Sequence, residues 1–112
     1  MDDTVVVLTS LPDREAAVRL AHELVAKKLA ACVNVLAECT SVYRWKGAVE
    51  NAREVLVLIK TRAVRYTELE AAIRGLHPYE LPEIIAVPVV RGFDDYLRWV
   101  ADETRIPADS IP

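Results

Sequence analysis

The stretch TSVYRWKGAVENAREVLVLIKT, residues 40–61, holds two runs of strand character about a single glycine. Along residues 40–46 the side chains alternate, with Val42, Arg44 and Lys46 on one side and Ser41, Tyr43 and Trp45 on the other. Residues 53–61 (REVLVLIKT) are rich in valine, leucine and isoleucine, which suit a pleated, buried surface. Gly47-Ala48 turns the chain between them. Two such runs around a glycine predict a β-hairpin. What flanks that hairpin settles the fold.

Upstream, residues 4–9 (TVVVLT) form a β-branched run closed by Ser10-Leu11-Pro12. Asp13 is placed to cap a helix, because a short carboxylate there accepts an otherwise unpaired backbone N–H. Ala17, Leu20, Ala21, Leu24 and Val25 recur at helical spacing through Lys28, opposite Arg14, Arg19, Glu23 and Lys27. Residues 31–37 (ACVNVLA) return to strand character. Downstream, Thr61 is the predicted cap of a second helix with the apolar stripe Tyr66, Leu69, Ala72, Ile73 and Leu76, and Gly75 is its C-terminal signal. Residues 84–90 read as a strand, Gly92 breaks it, and Asp94 starts a short third helix carrying Tyr96, Leu97, Trp99 and Val100. The tail, residues 106–112 with two prolines, is expected to be extended or loose. The order is α+β: a ferredoxin-like split β-α-β sandwich with an extra C-terminal helix, in one domain over residues 1–112. Its right-handed crossovers place the first two helices on one face of a mostly antiparallel sheet.

A sheet covered on one side only alternates apolar and polar residues along its strands. Val5-Val6-Val7-Leu8, Val55-Leu56-Val57-Leu58-Ile59 and residues 84–90 do not alternate. Each buried Val, Leu or Ile gains roughly 1.5–3 kcal/mol, so a wet second face would cost more than a small domain can spare. The second face is therefore expected to pack against other copies of the chain. The alternative is that the third helix and the tail fold over it.

Composition narrows the function classes. At 112 residues with a net charge of -3 and no basic stripe, the chain lacks the clustered Lys and Arg of a nucleic-acid footprint. The longest aliphatic runs, residues 55–59 and 84–90, are too short to span a bilayer. The opening Met1-Asp2-Asp3 is acidic where a secretory signal is positive, and Cys32 and Cys39, seven apart, form no CxxC pair. These features predict an intracellular protein with reduced thiols, and no nucleic-acid or membrane partner.

The chemistry centres on GLHPYELPEIIAVPV, residues 75–89. A helix tends to stop before proline, so His77-Pro78 is a helix exit and Leu81-Pro82 keeps the following residues extended. The segment is a stiff connector delivering Tyr79 and Glu83 to fixed positions. His77 has two readings: a cap donating to the last helix carbonyls, or an imidazole at a partly exposed corner, able to ligate Cu²⁺ or Zn²⁺ or to bind an anion. His22 lies on the polar face of the first helix without a partner, and no HExxH, phosphate loop or GxSxG occurs. No nucleophile–base pair is legible, so no enzyme is expected. Tyr43 and Trp45 point the same way along the hairpin, as packing or interface aromatics do. Lys60, at a strand end, has two readings: a partner of Glu50 or Glu83 or of an anion, and a lysine snorkelling beside an interface.

The segments LAACVNVL (29–36), SVYRWKG (41–47), EVLVLIKT (54–61), HPYELPEI (77–84) and GFDDYLRWV (92–100) stand in the order of a known family. Over residues 5–104 the chain resembles the CutA divalent-cation tolerance proteins. The resemblance implies a cytoplasmic homotrimer of ferredoxin-like subunits, similar to the P-II signalling trimers, with weak binding of Cu or Zn divalent cations. Some members are credited with a metal site made by a cysteine ending the first strand and a histidine pair before Pro-Tyr; the matching positions here are Thr9, Leu76 and His77. The resemblance also implies an inter-subunit cleft bordered by Asn34, Tyr43, Trp45, Lys60, Thr61, His77, Tyr79 and Glu83, with His77 and Glu83 as metal ligands. A trimer that senses a small ligand, without a physiological metal, is the alternative.

Overall fold

The Asp13 carboxylate accepts the Ala16 N–H at 2.8 Å from an extended backbone, which satisfies one of the first donors of helix α1 (Arg14–Ala26). The computed structural model describes residues 3–106. Strand β1 (Thr4–Leu11) precedes α1, and the hairpin β2 (Cys32–Trp45) and β3 (Ala48–Arg62) follows. A 3₁₀ turn, Ala63–Arg65, then leads into α2 (Tyr66–Leu76), β4 (Ile85–Pro88) and α3 (Asp94–Glu103). The strands form one sheet in the order β2-β3-β1-β4, and each neighbouring pair is antiparallel. This is the predicted ferredoxin-like arrangement with its added helix.

The core lies on the helix side. Val5, Val7 and Leu11 of β1 and Val55, Val57 and Ile59 of β3 meet Ala17, Leu20 and Leu24 of α1 and Leu69 and Ile73 of α2. Their odd numbering on both central strands follows from the period of two that sends alternate side chains to one face.

Several boundaries differ from expectation for identifiable reasons. The two separate runs at residues 31–37 and 40–46 are one strand, joined through a β-bulge. Val35 pairs with Val57 and Glu38 with Val55, so β2 spends three residues where β3 spends two. The bulge inverts the alternation. Cys32 and Asn34 before it, and Cys39, Ser41, Tyr43 and Trp45 after it, therefore share the sheet face turned away from α1 and α2. The turn sits one residue earlier than expected, on Lys46 (φ 49°) and Gly47 (φ 84°), as a two-residue loop with positive φ at both positions demands. Thr61 does not cap α2: it stays in β3, and the intervening 3₁₀ turn leaves the helix with Arg65 at its cap and no side-chain cap bond. Gly75 lies inside the last turn of α2, which Pro78 ends. Strand β4 is shorter than the aliphatic run at residues 84–90, and residues 107–112 of the tail lie outside the described residues.

The second face carries Val6 and Leu8 of β1, Leu56 and Leu58 of β3, and Ile85 and Val87 of β4, aligned by the Leu8–Ile85 and Val6–Val87 pairs. Helix α3 covers one end of it. Arg62 Nε donates to Thr104 Oγ1 at 3.0 Å and Arg62 Nη2 to the Thr104 carbonyl at 2.6 Å, while the Tyr96 hydroxyl meets Cys32. Ile85 and Val87 stay about half exposed, at 51% and 48%. Beyond the Leu11–Val55 pair β1 ends, so residues 39–54 continue as a two-stranded ribbon. The molecule measures 53 × 27 × 23 Å, with the ribbon accounting for its length.

Candidate functional site

Pro78 forces the residue before it out of the helical region, and His77 accordingly takes φ −83°, ψ 133°. That turn swings its ring away from the carbonyls of α2 and against the end of β1. Nε2 lies 2.7 Å from the Ser10 carbonyl, and the Tyr79 N–H donates to Nδ1 at 3.1 Å. With Nδ1 accepting, the proton resides on Nε2 and is donated to Ser10. The ring is buried, not partly exposed, and tilted against Tyr79 at 4.7 Å between centroids. Imidazole binds a metal through a ring lone pair, so a metal at His77 has to displace one of these bonds. The cap expected on α2 is instead a clasp between the connector and β1.

The clasp brings Tyr79 over Glu54. Glu54 is a buried residue, 8% exposed, and its carboxylate accepts Ser10 Oγ at 3.2 Å and the Tyr79 hydroxyl. Burial first, then the bond to Glu54 and that group's negative charge, push the Tyr79 phenol up to about 12 from 10.0. The folded value lies above the unfolded one, so this contribution to stability is complete below pH 10 and is lost as pH rises toward 12. The Tyr66 phenol, bonded to Glu70, and the Tyr96 phenol, desolvated beside Cys32, are also raised, so ultraviolet titration is expected to show one fewer phenol still protonated near pH 11 in Tyr79→Phe than in the native protein. Ionisation of all phenols together near pH 10 in the native protein would disprove the contact.

Between the hairpin and the connector runs a groove of about 890 Å³. Tyr43, Trp45 and Tyr79 supply its rings, Ser10 and Glu54 its buried polar groups, and Glu80, Glu83 and Arg44 its charged margin. Four of the residues expected at a cleft thus meet here: Tyr43, Trp45, Tyr79 and Glu83. The others stand elsewhere. Asn34 and Lys60 occupy the same sheet face toward α3 and hydrogen-bond to each other. Lys60 bonds there and not to Glu50, which lies ten residues back along β3, roughly 33 Å away. Thr61 faces the helices, fully buried, and donates to the Leu29 carbonyl at 2.7 Å.

Sequence reasoning did not place Ser10 and Glu54. The signal was present for Glu54: counting back by twos from Lys60 through Leu58 and Leu56 puts it on the same face. Thr9, the first of the three positions matched to the metal site credited to some CutA proteins, sits on the opposite, helix-facing side with its hydroxyl buried and unpaired among the described residues. An orphaned buried hydroxyl costs about 1 kcal/mol or more. Thr9→Val is expected to raise stability by about 1 kcal/mol in urea unfolding; a loss would show that the hydroxyl has a partner. Leu76 is half exposed. Cys32 and Cys39 are both free thiols. Among the described residues no three His, Cys, Asp or Glu side chains converge as a metal cluster. No helix there is long and apolar enough to cross a membrane.

Known proteins match this chain along most of its length. A family model described as CutA1 divalent ion tolerance protein matches residues 5–103. The divalent-cation tolerance protein CutA of Thermus thermophilus is 42% identical over 99 residues, covering 88% of this chain and 96% of that protein. Human protein CutA is 44% identical over 100 residues, which is 89% of this chain but only 56% of the human protein. The crystal structure of CutA from Xylella fastidiosa superposes with a TM-score of 0.89 at 40% identity, covering 92% of this chain and 99% of that one. Motif order, sheet topology and these matches agree, and the chain belongs to the CutA1 divalent ion tolerance protein family.

Proposed function

We propose that the protein serves divalent-cation tolerance in the cytoplasm as a homotrimer packed through its second sheet face, and that it binds Cu²⁺ or Zn²⁺ weakly, without catalysis. One observation carries the assembly. The ribbon of residues 39–54 extends past the sheet with Tyr43 42% exposed on the second face, and a two-stranded ribbon is marginal on its own in water. Neighbouring copies supply what it lacks, and the half-exposed Ile85 and Val87 lie on the face they would cover. The tolerance role follows the names of the relatives. For the metal, Glu83 at the groove margin has its carboxylate exposed to solvent, whereas His77 joins only by giving up Ser10 or Tyr79. A site with so few ligands in one chain is weak and open, completed by water or by a neighbour.

A second reading, a P-II-like trimer that senses a small molecule, draws on the groove itself. Its volume of about 890 Å³ falls within the range of small-molecule sites, roughly 300–1,000 Å³. Calorimetric titration with Cu²⁺ and Zn²⁺ separates the two. Glu83→Gln is expected to weaken binding about tenfold, with His77→Ala having a smaller effect on affinity. Absence of heat from either metal in the wild-type protein would favour the second reading.

A further inference from the structure

The groove pairs a buried negative charge with aromatic walls, and its polar contacts leave that charge in place. Glu54 accepts only neutral donors in the contacts that the described residues make with it, Ser10 Oγ and the Tyr79 hydroxyl. Two neutral hydrogen bonds solvate a carboxylate without cancelling it, and a desolvated charge gains from a counter-ion more than an exposed one does. Around it stand the rings of Tyr43, Trp45 and Tyr79, whose faces attract cations, tryptophan most strongly. The margin adds Glu80 and Glu83 against Arg44 alone, so the lining is acidic on balance.

We infer that the groove binds an organic cation, an alkylammonium or guanidinium group, seated against the Glu54 carboxylate between the Tyr43, Trp45 and Tyr79 rings. This deepens the small-ligand reading and rests on it. An organic cation fits better than a bare metal ion on three grounds. A divalent ion takes several oxygen, nitrogen or sulfur ligands, and no three His, Cys, Asp or Glu groups converge among the described residues. Aromatic walls favour a weakly hydrated cation over a tightly hydrated one. The volume of the groove also accommodates the carbon skeleton attached to such a cation.

The probe is phenethylammonium, with 2-phenylethanol as its neutral counterpart and phenylacetate as an anion of similar shape. Binding is read by calorimetry and by Trp45 fluorescence in a Trp99→Phe background, so that one indole reports. The ammonium is expected to bind about tenfold more tightly than the alcohol, and phenylacetate not at all. Glu54→Gln, which keeps the shape and an acceptor for Ser10 and Tyr79, should weaken the ammonium about tenfold while leaving the alcohol unchanged. Should that variant unfold, Tyr43→Leu, at a position half exposed in the single chain, tests the aromatic wall and is expected to weaken the ammonium about fivefold. Equal binding of ammonium and alcohol would overturn the inference, as would unaltered ammonium affinity in Glu54→Gln or in Tyr43→Leu. So would no binding to the wild-type protein at millimolar probe. A Cu²⁺ or Zn²⁺ titration that still depends on Glu83 would then leave the tolerance reading standing, while heat from some other small molecule would preserve the sensing reading without the cation.

Discussion

Ile85→Glu combined with Val87→Glu is expected to convert a particle of about three chain masses into one of 12.5 kDa, with little change in the fold of the single chain. Both side chains are about half exposed on β4 of the isolated chain, where surface substitutions usually move stability by roughly 0.5 kcal/mol or less. Between packed sheets the same two carboxylates would be desolvated without partners. Each buried, unpaired charge costs about 3 kcal/mol or more, so the pair opposes assembly by about 6 kcal/mol, roughly four decades in dissociation constant. Light scattering across a range of concentrations makes the measurement, and circular dichroism checks the monomer. A double variant that remains a trimer would place the subunit contacts somewhere other than this face. A wild-type protein that runs as a monomer at micromolar concentration would end the assembly reading altogether.

The doubly apolar strands made that expectation legible before any coordinates, because the period of two is strict and Val5–Leu8 breaks alternation without ambiguity. Helix α3 qualifies it. The Arg62–Thr104 contacts join β3 to the C-terminal end of α3 across 42 residues, and no local pattern announces a pairing so distant. The bulge in β2 was hidden for a related reason. One extra residue near Leu36 leaves composition untouched, yet it decides whether Asn34 and Tyr43 face the same way. The groove was half legible. Tyr43, Trp45, Tyr79 and Glu83 drew attention by residue type and by the prolines around them, while Ser10 and Glu54 looked like ordinary strand ends. Thr61 misled because a threonine just before a helical stripe is a good cap by propensity, and the pull of the Leu29 carbonyl into the core outweighed that preference.

His77→Ala separates the two readings of the residue with which the connector begins. As a clasp, the ring holds the Ser10 carbonyl through Nε2 and the Tyr79 N–H through Nδ1 while buried against the Tyr79 ring. Alanine leaves both backbone groups without their partner and opens a void where the imidazole stood. Orphaning a buried backbone group costs roughly 1–3 kcal/mol, so a total loss of about 3 kcal/mol is expected once water reaches one of them. In a domain near this size, that corresponds to a fall of roughly 12–24 °C in Tm. The variant and wild type must be compared at one protein concentration, since an assembling chain gains stability by mass action. Because the clasp positions Tyr79, the loss should be accompanied by return of the Tyr79 phenol toward its ordinary value near 10. A ligand role predicts the reverse pattern: Cu²⁺ or Zn²⁺ affinity falling by a hundredfold or so while urea unfolding of the metal-free protein scarcely moves. A stability change below about 1 kcal/mol would mean that the two ring bonds contribute nothing that water cannot replace. The connector would then be held by its prolines alone, and His77 would be free to serve as a ligand after all.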